Sequence, residues 1–164
     1  AVLITLAVLG SDMWVKPSPR ERALTALRAK ALSLGLRVRI VDARLAGALF
    51  CWLDNFRVYS LYEKKLPVGL KPSSYKPVVI RLSEDPELHE LDLDETHAFK
   101  DLLAAKGVFE GVPETSEALV ISQSGIAFLW KECQSEPKST EEVERIDVCL
   151  TRCIGCADIW LDII

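Results

Sequence analysis

The sequence predicts an α+β domain in the order α-β-β-β-α-β-β-α, a mainly antiparallel sheet of about five strands with helices packed on one face. Three observations carry this reading. Two stretches with apolar residues at three- and four-residue spacing open on capping boxes, at Ser18–Glu21 and Ser139–Glu142. Five short stretches read as strands: Leu36–Val41, Phe56–Tyr62, Pro77–Leu82, Ala118–Ser122 and Ile126–Lys131. Connections are mostly of the hairpin type, with Gln123-Ser124-Gly125 the clearest, and they imply antiparallel pairing. The 164 residues divide into an apolar N-terminal segment, 1–15, and a single α+β domain, 16–164.

The N-terminal segment holds one polar residue, Thr5, before Gly10, Ser11 and Asp12 interrupt it. Fifteen residues fall short of the ~20 that span a bilayer. If further apolar residues precede Ala1, the segment is the inner end of a span. Trp14 then lies at the membrane interface, and Lys16, Arg20, Arg22, Arg28 and Lys30 mark the cytoplasmic side. The alternatives are a buried element of the domain or a remnant of cloning around Gly10-Ser11.

Ser18 caps the first helix and Pro19 fits its first position. Leu24, Leu27, Ala31 and Leu34 fall on one face, and Gly35 ends the helix. The first strand puts Leu36, Val38 and Ile40 inward. Residues 43–55 read equally as a short helix or as a buried strand bulged at Gly47. After the second strand, residues 63–77 read as a loop, with Pro67, Gly69, Pro72 and Pro77. Residues 83–97 carry seven acidic side chains and read as a loop. Thr96–Lys106 follows as a helix with Phe99, Leu102 and Leu103 on its apolar face and Gly107 at its end. Residues 134–138 form a polar loop. The last helix carries one stripe through Val143, Ile146, Leu150, Cys153, Ala157 and Trp160, weakened at Gly155.

Charge divides unevenly along the chain. Residues 1–82 hold 14 Lys/Arg and 5 Asp/Glu, a balance of +9; residues 83–164 hold 6 and 19, a balance of −13. This reads either as ordinary solvated faces or as a basic half turned to an anionic surface. Five cysteines, an odd number with three crowded together, do not form a secreted disulfide framework and suit a reducing cytoplasm.

Cys149, Cys153 and Cys156 match the Cys-x3-Cys-x2-Cys spacing of a three-thiolate iron–sulfur site. Radical S-adenosylmethionine enzymes place that motif early, ahead of a large barrel, so its position here excludes them. A metal site needs a fourth ligand, from Cys133 or a histidine. The competing reading is core packing, since the three thiols share the apolar stripe. The acidic cluster His89, Asp92, Asp94, Glu95 and His97 reads as a solvated loop or a weak divalent site, and its spacing is not that of an EF-hand. Basic residues from Arg37 to Arg81 alternate with Tyr59, Tyr62 and Tyr75, yet pI 5.3 and the missing recognition signatures speak against nucleic acid. No phosphate-binding glycine loop, GxSxG elbow or HExxH motif occurs, and no cofactor is expected.

Met13–Leu24, with Leu34–Val38 after it, resembles small bacterial inner-membrane proteins of unknown function, sometimes labelled translocase-accessory. These have one N-terminal span and a cytoplasmic domain. The likeness covers about the first 45 residues and, more loosely, Ile121–Trp130. It implies an inner-membrane location with the domain on the cytoplasmic side, against a soluble cytoplasmic alternative. It implies no activity. The functional expectation is therefore a membrane-tethered adaptor or interaction domain without catalysis, with a membrane surface and a protein as partners. The alternatives are a metal or iron–sulfur protein and a small-molecule binding domain.

Overall fold

The computed structural model describes residues 17–70, 72, 76–82, 94–132 and 139–161, with the backbone alone over 94–97. The apolar segment, the acidic stretch before residue 94, and the loop at 134–138 lie outside the described residues. Helix α1 spans Pro19–Ser33, followed by β1 (Arg37–Ile40), α2 (Ala43–Leu49), β2 (Tyr59–Lys65) and β3 (Val78–Arg81). Then come α3 (Asp94–Ala105), β4 (Ser116–Ile121), β5 (Gly125–Lys131), α4 (Thr140–Gly155) and α5 (Ala157–Leu161).

The five strands form one antiparallel sheet in the order β1-β2-β5-β4-β3. The fold is α+β, and the helices pack against this sheet. Strand alternation sends Tyr62, Leu119, Ile121, Ile126, Phe128 and Trp130 to one face. There they meet Leu27 and Ala31 of α1 and Val143, Ile146, Leu150 and Cys153 of α4. Tyr62 and Trp130 pack edge to face at 5.0 Å, a geometry their ring quadrupoles favour. The expected C-terminal stripe is the buried face of α4 and α5. It is broken after Gly155, where the Cys156 N–H turns back to the carbonyls of Arg152, Cys153 and Ile154. Trp160 closes the break by donating its indole N–H to the Cys153 carbonyl at 2.9 Å.

The other sheet face is also covered, which corrects the one-face expectation. Leu61, Ala118, Val120, Ala127 and Leu129 point to it and pack with Ala46 of α2, Phe50 and Tyr59. Burial on both faces explains why β4 and β5 read as nearly continuous apolar runs. The ambiguous stretch 43–55 thus begins as a helix. Asp42 caps it, its carboxylate accepting the Leu45 N–H at 2.8 Å. The second strand lies later than expected. Phe56–Val58 is a 3-10 turn, and pairing with β5 carries β2 on from Tyr59↔Lys131 to Lys65↔Gly125. Helix α3 begins at Asp94, two residues before the expected start.

The local signals at α1 are realised as drawn. The Ser18 hydroxyl accepts the Glu21 N–H at 3.2 Å, and the Glu21 carboxylate accepts the Ser18 N–H at 2.6 Å. Gly35 takes φ +78°, a left-handed conformation that side chains rarely adopt.

Part of the uneven charge is paired across the two halves of the chain. Arg28 meets Glu132 at 2.7 Å, Lys30 meets Glu144 at 2.5 Å, and Lys64 meets Asp147 at 2.6 Å. Each of these pairs joins the basic half of the chain to the acidic half.

Candidate functional site

Arg20 and Arg22 lie in the first turn of α1, and both are exposed. Trp14 and Lys16 lie outside the described residues. No helix among the described residues is long and apolar enough to cross a membrane.

The cysteines of the C-terminal segment belong to the core. Cys149 and Cys153 are buried and Cys156 is half-buried. Burial pushes the Cys153 thiol up to about 12, helped by the neighbouring Cys156 and Cys149. Burial likewise raises Cys149, whose thiol approaches the Glu110 carbonyl at 3.4 Å. Among the described residues, no three His, Cys, Asp or Glu side chains are grouped to hold a metal. His89 and Asp92 lie outside those residues, and Asp94, Glu95 and His97 fall at the start of α3. Tyr59 and Tyr62 are buried on opposite faces of the sheet, so they form no common stacking platform.

Two buried carboxylates stand out instead. Glu132, just beyond β5, is 6% exposed. Its carboxylate accepts from Arg28 at 2.7 Å and from the Tyr62 hydroxyl at 2.9 Å, tying α1 to the sheet. The bond to Glu132 holds Arg28 above its ordinary value, while burial, then Glu132, raises Tyr62. This network is complete and reads as structural.

Glu63, on β2, is 4% exposed and sits on the α2 face. Its Oε1 accepts the Ser124 hydroxyl at 2.6 Å, and Ser122 lies 2.9 Å from Ser124. Its Oε2 is shut off from solvent and accepts no hydrogen bond among the described residues. The Arg37 guanidinium approaches Oε2 only to 3.9 Å, beyond hydrogen-bond reach. Gly125 makes the room. A Cβ there would stand 2.5 Å from the Lys64 carbonyl oxygen and 2.9 Å from Glu63 Cγ. Glu63, Ser122 and Ser124 line a cavity of about 150 Å³ with Arg39, Pro77 and an apolar wall that includes Leu45, Leu49, Leu61 and Val120. No sequence motif marks Glu63 or Ser122, and Ser124 is marked only as part of the Gln123-Ser124-Gly125 turn. The available signal was phase: Glu63 continues the inward face set by Tyr59 and Leu61.

On the same face of the sheet, the Arg81 guanidinium stacks 4.7 Å over the Trp52 ring. Its Nε and the indole N–H are buried and meet no acceptor among the described residues.

No protein-family model, curated protein or solved structure matches the chain.

Proposed function

We propose that this is a non-catalytic interaction domain held at a membrane surface by its N-terminal end, on the cytoplasmic side of a bacterial inner membrane. The observation that supports it most is the placement of Pro17–Arg22, all six of which are exposed. Packing of α1 begins only at Leu24, which is half-buried, and Leu27. The start of α1 therefore stands clear of the core, immediately after the apolar segment 1–15. Arg20 and Arg22 at that position would each gain about 1 kcal/mol near an anionic leaflet. That is too little to hold the domain alone, so the apolar segment supplies the remainder.

Flotation with phosphatidylglycerol-rich vesicles tests the reading, using residues 1–164 and a version lacking 1–15. The longer chain floats, the shorter does not, and Arg20→Glu with Arg22→Glu weakens flotation of the longer one. A longer chain that stays at the bottom of the gradient overturns the proposal.

The Glu63 cavity favours a second reading, a small-molecule binding domain. The two are compatible, since the cavity lies on the α2 face and the tether at the start of α1.

A further inference from the structure

We infer that the cavity beside Glu63 binds a small zwitterion, an aliphatic α-amino acid. The inference deepens the small-molecule reading and is independent of the membrane tether.

The first argument is the unsatisfied carboxylate. A buried polar atom without a partner costs about 1–3 kcal/mol. Glu63 Oε2 is such an atom, while Oε1 is held by Ser124. The carboxylate is fixed in place with one acceptor left over, an arrangement that suits an incoming ammonium group. Arg37, whose side chain is 55% exposed on the edge strand, is the cation nearest to Oε2. It lies too far to bond, so Oε2 keeps an unfilled acceptor position beside the cavity that Glu63 lines.

The second argument is the opposite charge. Arg39 lines the same cavity and makes no ion pair among the described residues. The register pairs Arg39 with Leu61, two residues from Glu63, so Arg39 and Glu63 are diagonal neighbours on one face. A ligand with cationic and anionic groups a few ångströms apart meets both. With Arg37 and Arg39 set against Glu63, a bare cation would be disfavoured and a ligand carrying a carboxylate welcomed.

The third argument is size and lining. A volume of about 150 Å³ holds on the order of ten waters, well below the range of drug-sized pockets. The walls away from the charged groups are Leu45, Leu49, Leu61 and Val120. They suit a short aliphatic side chain.

Amide-resolved NMR titration of residues 1–164 tests this with L-alanine, L-valine and L-leucine. N-acetyl-L-valine, which lacks the cation, and isobutylamine, which lacks the carboxylate, serve as controls. At least one amino acid shifts the Ser122–Gly125 amides saturably, with Kd below about 1 mM. Both controls bind at least about tenfold more weakly, the loss expected for one charged hydrogen bond. Glu63→Gln and Arg39→Ala each weaken binding by a similar factor. Arg39 is exposed, so Arg39→Ala keeps the fold and remains informative should Glu63→Gln disturb it. Absence of saturable shifts with all three amino acids overturns the inference. So does an equal response to the two controls, or unchanged binding in Arg39→Ala. Loss of vesicle flotation would leave these titrations unaffected, so the two proposals fail separately.

Discussion

Replacing Glu132 with Ala removes the carboxylate that joins α1 to the sheet, and its cost follows from the geometry. Tyr62 is fully buried, and its hydroxyl loses an acceptor at 2.9 Å. That orphaned donor costs about 1–3 kcal/mol. The lost side-chain volume, roughly 50 Å³ if unfilled, adds about 1 kcal/mol. Arg28 adds little, because its side chain is 34% exposed and can turn to water. The expected loss is therefore about 2–4 kcal/mol, read from urea unfolding as a lower midpoint at unchanged slope. Glu132→Gln keeps an acceptor for Tyr62 and costs about 1 kcal/mol. Adding Tyr62→Phe to Glu132→Ala removes the orphan, so the two substitutions are non-additive by about 1–2 kcal/mol. A Glu132→Ala cost below about 0.5 kcal/mol, or strict additivity with Tyr62→Phe, would refute the claim that this network binds the helix layer to the sheet.

Other outcomes follow from single sites. The Cys153 thiol ionises near 9.0 when unfolded but only near about 12 when folded. Its contribution is full below pH 9 and is lost as pH rises towards 12, by up to about 4 kcal/mol; urea unfolding of Cys153→Ala shows a shallower alkaline slope than the parent. Thiol labelling at pH 8 modifies the exposed Cys51 rapidly, and reaches Cys149 and Cys153 only as the protein unfolds. Glu21 is held below its ordinary 4.5 chiefly by the Ser18 backbone N–H and then by the Ser18 side chain. The cap is complete above pH 4.5 and loosens as pH falls below it, which hydrogen exchange at the first turn of α1 reports. Gly125→Ala forces a Cβ within 2.5 Å of the Lys64 carbonyl oxygen and costs about 1–3 kcal/mol in urea unfolding.

What the sequence makes legible here is whatever is decided within one turn or one hairpin. Ser18, Pro19 and Glu21 specify the start of α1, and Gln123–Gly125 marks the β4–β5 turn, because every partner is a near neighbour. The spacing of Val143, Ile146, Leu150 and Cys153 correctly locates the buried face of α4. Register is decided farther away. Phe56–Val58 alternates like a strand, yet β2 starts at Tyr59 because β5, some 70 residues later, is its pairing partner. The role of α2 was hidden for a related reason. Its cap is local, but that the sheet has a second buried face is known only once all five strands are assembled. The same holds for the candidate cavity. Glu63 meets Ser124 across 61 positions, and only the fold makes Gly125 a neighbour of its carboxylate. The charge split looked like a feature turned outward. Lys30–Glu144 and Lys64–Asp147 show that part of it is paired within the molecule.

Fractionation of the full-length protein from its native cells tests the tethering proposal most directly. The account predicts recovery in the membrane fraction, resistance to alkaline carbonate extraction, and release of the domain when the chain is cleaved near Pro17–Arg22. Recovery wholly in the soluble fraction would contradict it.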